Sequence, residues 1–428
     1  MKNQSAALLI TLLTAGSVSA GTFTPKTYIK QALDSSPAMK MAEQAYTLAR
    51  ETYRSALADA ALPAFKFSAA ETLYGDDNTG WDTGEDRVSS SLSASWNLYD
   101  SASSPLSRVR SARLTHEYAR LTLLIARQTQ SLSALDKFYA LYSAQQKVVA
   151  ARSNLASREK QYNDTNEQFQ SGTRSRIELT QSEGDKLSSE LSLAQAEFGE
   201  RKALMAFNEL INAEPDEAQA VVIDTNAVSI KLPLPKEDID RALEGNLKFR
   251  LRKVSLERTK LTGRNAIMAD YPRFRLDADW AKTSLPLFGS GRWTDNQSYG
   301  LAASVSYSFG FFGAQKHYDL LGQKASIRSA ELDLEDARRT LKTDVLTAQK
   351  NIELLVKSRQ LLDFQVKAQK DTMDNLMGEF SLGGASSLQL DNSQTKLLDA
   401  SNSQISAVND LDLALAGYRV LLGERIWE

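Results

Sequence analysis

The sequence predicts a mixed α/β membrane protein: a long α-helical coiled-coil barrel joined to a transmembrane β-barrel, with four strands contributed by each chain. Three observations lead to this fold class. The chain resembles itself at a nearly constant offset, very long glycine-free segments carry a seven-residue apolar period, and four short segments alternate apolar and polar residues.

The first twenty residues predict an export signal. Lys2 is followed by a short apolar stretch at 6–13, and Val18-Ser19-Ala20 places small residues where a signal peptidase cleaves. We therefore expect residues 1–20 to be removed. The apolar stretch is too short to span a bilayer, and no later stretch comes near the ~20 apolar residues that a membrane helix needs.

Composition excludes several classes of protein. The chain has no Cys and two His, so disulfides, thiolate metal sites and a Cys nucleophile are excluded, and a His-based site is disfavoured. Lys+Arg number 51 against Asp+Glu 53, a balance that offers no basic face to nucleic acid. We expect no catalysis, no cofactor and no metal.

The chain reads as a tandem repeat. Residues 169–172 (FQSG) align with 380–383 (FSLG) at an offset of 211, and apolar positions on both sides follow the same offset. The predicted organisation is a first repeat at 21–213, a connector at 214–240 and a second repeat at 241–428. Within these repeats we expect β-hairpins at 63–98 and 272–309 and long helical hairpins at 106–213 and 314–423.

A heptad pattern predicts rod-like helices. Residues 106–171 contain no Gly, and Leu141, Val148, Leu155, Tyr162 and Phe169 recur every seven residues as predicted core positions. A helix of this length would extend about 100 Å. Because glycine enters a left-handed turn without steric cost, Gly172 and Gly383 are expected to end the two long helices.

Four segments alternate with the period of a β-strand. The apolar rows begin at Phe65, Val88, Phe274 and Leu301, and each segment has about the 9–11 residues of a tilted membrane strand. The opposite rows are polar and would face a water-filled lumen. The charged members of those rows are Lys66, Arg273, Arg275, Asp277 and Asp279.

Alternation alone leaves two alternatives open. A soluble sheet with one buried face alternates in the same way, whereas a membrane sheet places its apolar face in lipid. Four strands cannot close a barrel, and an open edge in lipid would leave backbone groups unpaired at several kcal/mol each. The membrane alternative therefore requires at least two copies that pool their strands around one pore.

The sequence resembles the TolC family of outer-membrane efflux and secretion channels of Gram-negative bacteria. The resemblance covers the mature chain and rests on the repeat, the paired hairpins and the turns Phe169-x-x-Gly172-Thr173 and Phe380-x-x-Gly383-Gly384. It implies a homotrimer in the outer membrane with a periplasmic helical tunnel. It also implies tips that dock a membrane-fusion adaptor, at Gly172, Thr173, Arg174, Gly383 and Gly384, and an inner-membrane pump, ABC or proton-driven.

The resemblance also indicates where a gate would lie. The family's acidic pair in the second repeat is replaced here by Gln389 and Asn392, and its linking Tyr and Arg by Phe380 and Ala385. The acidic position of the first repeat holds Glu178. Asp391 is adjacent to this ring but about 100° around the helix. Arg174 and Arg176 are expected to form an exposed basic pair.

The function expected is a passive exit duct of a tripartite efflux or type I secretion system, with its helical part in the periplasm. The alternative is an exported coiled-coil structural protein or adhesin with a soluble sheet. In the exit duct the apolar face of the strands contacts lipid, whereas in the structural protein it is buried within the protein.

Overall fold

The computed structural model describes residues 22–72, 87–99, 105–223, 235–268, 273–284, 296–306, 314–382 and 384–427. The helices are α1 (Pro25–Ser35), α2 (Pro37–Ala61), α3 (Pro105–Gln170), α4 (Arg176–Ile211), α5 (Pro235–Gly245), α6 (Leu247–Met268), α7 (Ala314–Ser381) and α8 (Ser387–Leu421). The strands are β1 (Thr22–Phe23), β2 (Ala64–Thr72), β3 (Arg87–Tyr99), β4 (Ala220–Val221), β5 (Arg273–Ser284) and β6 (Asn296–Ser306). The predicted signal at 1–20 lies outside the described residues.

The two rods are the longest elements. Helix α3 has 66 residues and α7 has 68, so each extends about 100 Å. The first rod ends at Gly172, whose φ of +77° is left-handed. Gly383, the predicted end of the second rod, lies outside the described residues. Each return helix, α4 and α8, starts with a capping box, in which a Ser and the side chain three residues later bond to each other's backbone N–H.

The helices form an ordered wall. Toward the tips, α3 packs on α4 and on α8, and α8 packs on α7, which gives the order α4-α3-α8-α7. Toward the sheet, the order is α2-α3-α6-α7. Helices α4, α7 and α2 therefore lie at the edges of the wall, whereas α3 lies inside it at both levels. The element order from α1 to α4 recurs from α5 to α8.

A second layer covers part of this wall. Helix α1 packs on α3 and α4, where Tyr28, Phe138 and Phe207 are fully buried and the rings of Tyr28 and Phe207 stack at 3.9 Å. Helix α5 packs on α7 through Ala242 and Val345. The connector after α4 is anchored by the buried amide of Asn208, whose Nδ2 donates to three of the connector's carbonyl oxygens.

A four-stranded antiparallel sheet lies at the other end of the rods, in the order β2-β3-β5-β6. Within the second predicted hairpin, β5 continues through 281–284, and β6 begins at Asn296. The last residues of the fourth predicted strand, 307–309, lie outside the described residues.

The heptad prediction holds along most of the rods and fails at the first tip. Leu141 and Val148 are buried as predicted, and Ile352 of the second rod is buried as well. Tyr162 is half-buried, and Phe169 is 37% exposed, so its prediction as a core residue is wrong within the single chain. The buried aromatic at the tips is Phe380 of the second rod, which occupies the core formed with Ala385 and Leu390.

Candidate functional site

The sheet has two chemically opposite faces because its strands are in register. One row across all four strands consists of Phe67, Leu92, Trp280 and Tyr299. The neighbouring row, which points the other way, consists of Lys66, Ser93, Asp279 and Gly300. The alternation seen in the sequence is therefore continuous across the sheet, with one apolar and one polar face.

The described residues leave the apolar face of the sheet uncovered. Phe67 is 67% exposed and Leu301 is 76% exposed, and among the described residues no helix packs across the sheet. A soluble sheet would bury such side chains against another layer, since each large apolar side chain gains about 1.5–3 kcal/mol on burial. This face is suited to contact with hydrocarbon.

The predicted lumen residues share the other face. Lys66, Arg275, Asp277 and Asp279 occupy register positions on the polar side, and Arg273 pairs in the ladder with Ser306. Arg275 Nε donates to Asp277 Oδ1 at 2.7 Å, so these two charges compensate each other locally.

At the helix tips, Glu178 caps α4. Its Oε2 accepts from the backbone N–H of Ser175 at 3.0 Å, and its Oε1 accepts from Arg174 Nη1 at 2.7 Å. The backbone hydrogen bond first, and then the bond from Arg174, lowers the pKa of Glu178. A carboxyl with a lowered pKa stabilises the fold above its unfolded pKa, and this contribution is lost as the pH falls through the lowered value.

Arg174 joins the two tips. Its Nη2 donates to the carbonyl oxygen of Ala385 at 3.0 Å, its Nε donates to Gln168 Oε1 at 3.0 Å, and its guanidinium lies 4.8 Å from the centre of the Phe380 ring. The expectation of an exposed basic pair is wrong for Arg174, whose side chain is only 13% exposed because it is held by both turns. Arg176 is exposed as expected.

The remaining tip residues form two tight turns. Thr173 Oγ1 donates to the carbonyl oxygen of Gln168 at 3.0 Å. In the second turn, the N–H of Gly384 donates to the carbonyl oxygen of Glu379 at 2.8 Å. Gln389 repeats the role of Glu178: its Oε1 accepts from the backbone N–H of Ser386 at 3.0 Å. The candidates Glu178 and Gln389 thus occupy equivalent capping positions at the starts of α4 and α8.

The other two gate candidates differ in their surroundings. Asn392 is exposed on α8. Asp391 is ion-paired with Arg158 of α3, and Asp185 of α4 lies 3.9 Å from the same guanidinium. Arg158 Nη2 also donates to Thr395 Oγ1 at 3.2 Å. One arginine of α3 therefore connects three helices, α3, α4 and α8.

Burial raises the pKa of Asp185, and the negative charge of Asp391 raises it further, whereas Arg158 lowers it. The positive charge of the Arg158 guanidinium thus offsets the repulsion between the two neighbouring carboxylates. Sequence reasoning missed Arg158, although a signal existed: it lies seven residues after Ala151 and seven before Thr165, both of which are buried.

Among the helices of the described residues, none is long and apolar enough to cross a bilayer. The sequence matches a family model described as outer membrane efflux protein over residues 28–213. No curated protein matches the sequence.

Solved structures with the same fold cover nearly all of the chain. The channel CusC is 16% identical, with a TM-score of 0.81 over 94% of this chain and 92% of that one. The outer membrane protein VceC from Vibrio cholerae is 16% identical, with a TM-score of 0.77 over 94% and 97%. The MtrE outer membrane channel of Neisseria gonorrhoeae is 19% identical, with a TM-score of 0.76 over 94% and 89%.

Fold and sheet together define an outer-membrane efflux channel, a class of protein that forms channels rather than catalysing reactions. Residues 28–213 match the outer membrane efflux protein family model, and the described chain as a whole shares the fold of such channels. The resemblance to the TolC family is confirmed, and with it the outer membrane of a Gram-negative cell as the location.

Proposed function

We propose that three copies of this chain form a passive exit duct of a tripartite efflux or type I secretion system. The observation that carries the proposal is the uncovered apolar face of a sheet whose two edges, β2 and β6, pair with no other described strand. With four alternating strands per chain, β6 of one copy runs antiparallel to β2 of the next, so a ring of copies closes without reversing a strand.

The helical wall offers a matching second contact. Helices α4 and α7 are its outer edges near the tips, and each carries an exposed apolar stripe. The stripe on α4 consists of Leu187, Leu191, Phe198 and Met205, and the stripe on α7 consists of Leu346, Leu354, Leu361 and Phe364.

The two stripes lie at matching heights. Phe198 is 22 residues beyond the start of α4, and Leu361 is 20 residues before the end of α7, so both lie about 30–33 Å from the tip. Met205 and Leu354 match in the same way. Helix α4 of one copy can therefore pack on α7 of the next, a head-to-tail contact that closes into a ring.

Several finer assignments belong to this proposal. Residues 1–20 act as the signal peptide, and two repeats joined by the connector at 214–240 are related by a pseudo-twofold axis. The tip turns at 172–174 and 383–384 dock a periplasmic adaptor, and an inner-membrane pump supplies the energy. Glu178, Gln389 and Asn392 form the periplasmic constriction, and Asp391 contributes through its pair with Arg158.

The alternative, an exported coiled-coil scaffold or adhesin with a soluble sheet, requires a cover for the apolar face. The described chain provides none, because its helices leave both faces of the sheet open. This alternative is therefore not favoured.

Cross-linking between copies tests the trimer. The chain has no Cys, so a Phe198→Cys/Leu361→Cys variant has no background thiols. We expect oxidation to convert it into covalent dimers and trimers on denaturing gels. The matched control is Glu197→Cys/Leu361→Cys, because Glu197 pairs with Arg152 of α3 at 3.0 Å and so points within its own chain.

The same samples should conduct ions in planar bilayers. A Phe198→Cys/Leu361→Cys protein that stays monomeric under oxidation, or a wild-type protein that produces no conductance steps, would contradict the trimeric duct.

A further inference from the structure

The helix ends next to the sheet expose apolar side chains. Leu62 follows α2, Leu106 lies in the first turn of α3, and Ile267 lies in the last turn of α6; they are 63%, 66% and 49% exposed. These side chains continue the apolar character of the sheet onto the helices. If the sheet spans the membrane, this level borders the hydrocarbon.

Arginines follow within one to two turns. Arg110 and Arg113 of α3 lie about 8 and 12 Å beyond the start of their helix, and Arg264 of α6 lies about 6 Å before the end of its helix. Arg113 is seven residues after Leu106, so it lies on the same side of α3 and about 10 Å further from the sheet. We call Arg110, Arg113 and Arg264 the basic collar.

The basic collar is exposed, and the described residues do not compensate its charges. Among the described residues, no ion pair or hydrogen bond is found for the side chains of Arg110, Arg113 or Arg264. Other arginines of α3 do have partners: Arg108 lies 3.6 Å from Asp59, Arg120 pairs with Glu117 at 3.3 Å, and Arg127 pairs with Glu43 at 2.9 Å.

The collar lies on the outside of the proposed duct. Arg113, Arg120 and Arg127 recur every seven residues and lead to Ala134, which is buried in the cluster that α1 forms on α3. A second layer inside the wall would fill the lumen, so the side covered by α1 is the outer one.

Helix α6 presents its arginine on this same side. Arg250 Nη2 lies 3.9 Å from Glu117 of α3, and Arg264 follows Arg250 by two heptads. Because α3 and α6 are both interior to the wall at this level, neighbouring copies would contact α2 and α7 and leave the collar open.

We propose that the basic collar binds the phosphate groups of anionic phospholipids in the membrane leaflet next to the helical wall; this inference rests on the proposed duct. The order of apolar sheet, apolar helix ends and unpaired arginines follows the order of hydrocarbon and headgroup layers in a bilayer, whose polar layer is about 5–8 Å thick on each side. Arginine is suited to phosphate because its planar fork of N–H donors matches two oxygens.

Lipid selectivity of the reconstituted full-length protein tests this proposal. Spin-labelled phosphatidylglycerol and phosphatidylcholine are compared for the fraction held at the protein surface. We expect wild type to prefer the anionic lipid, with a gain of up to about five-fold for each arginine at low salt. The preference should fall toward one in Arg110→Gln/Arg113→Gln/Arg264→Gln and shrink as salt rises.

The matched control is Lys248→Gln/Arg252→Gln/Arg338→Gln, which removes three exposed positive charges further from the sheet and should keep the preference. A collar variant with wild-type lipid preference would overturn the proposal. So would a collar-dependent co-sedimentation with isolated peptidoglycan that occurs without lipid preference, because the partner would then be a polymer.

Cross-linking and conductance on the same samples separate this proposal from the duct. If the trimer conducts and wild type has no lipid preference, only the collar assignment fails. If wild type forms no trimer, the duct fails and the collar fails with it. If the collar triple variant does not insert into the membrane, the wild-type protein alone tests the proposal. A lipid preference of the wild type that does not change with salt contradicts binding by the collar.

Discussion

Replacing Arg158 by glutamine is expected to loosen the helix tips and raise the conductance of the reconstituted channel. The guanidinium is 7% exposed and pairs with Asp391 of α8 close to Asp185 of α4. Its loss leaves two partly buried carboxylates facing each other. Breaking a fully buried pair costs ~3–5 kcal/mol. Because both carboxylates are about one-quarter exposed, we expect about 2–3 kcal/mol here.

The matched control is Arg152→Gln on the same helix. Arg152 pairs with Glu197 across the same two helices, but its side chain is 63% exposed, so its loss should cost less than ~1 kcal/mol and leave conductance unchanged. Adding Asp391→Asn to Arg158→Gln should restore part of the wild-type behaviour, since one of the two carboxylates is then neutral. Equal conductance for Arg158→Gln and Arg152→Gln would show that Arg158 does not hold the tips.

Placing a positive charge on the apolar face of the sheet should prevent assembly. Leu301→Arg puts a guanidinium on the face that carries Tyr299 and Leu301, and this costs about 2–4 kcal/mol per chain near the middle of a bilayer. Three copies multiply the cost. We therefore expect little SDS-resistant trimer in membranes, measured by unheated gels of the membrane fraction.

The neighbouring substitution is the control. Ala302→Arg occupies the opposite face, opposite Asp277 in the ladder, where water would solvate the new charge. Its trimer yield should stay near that of wild type. Similar losses for both substitutions would contradict the assignment of the two faces.

Most of the fold could be predicted from the sequence because the periodic signals are long. The strand alternation predicted the face of each strand, and the ladder of Phe67, Leu92, Trp280 and Tyr299 shows that these faces align. The long segments with a seven-residue apolar period predicted both rods. The end of β5 and the start of β6 could not be predicted from the sequence. Residues 281–284 and 296–298 pair in the sheet although their composition is typical of loops.

The tip chemistry could be predicted only in part. Glu178 and Gln389 were found through the resemblance, and their equivalent capping geometry follows from the repeat. Arg174 and Arg158 make their decisive contacts with Ala385 and Asp391, more than 200 residues away. No local pattern encodes such pairings, because they depend on how the two helical hairpins pack.

The exposure of Phe169 also depends on how the two helical hairpins pack. The 211-residue offset made Phe169 and Phe380 equivalent, yet only Phe380 is buried, since Arg174 from the other turn covers its ring. The two turns thus differ although their sequences are similar: Arg174 of the first turn covers Phe380 of the second, and Phe169 remains exposed.

Labelling of single cysteines in reconstituted protein tests the central claim most directly. In a chain without native Cys, Phe67→Cys and Leu301→Cys should resist a water-soluble maleimide, whereas Ser68→Cys and Ser304→Cys should react with it. A nitroxide carried on lipid chains should quench a fluorophore attached at the first pair and leave the second pair bright. Equal aqueous labelling at all four positions, with no quenching from lipid, would contradict the membrane sheet.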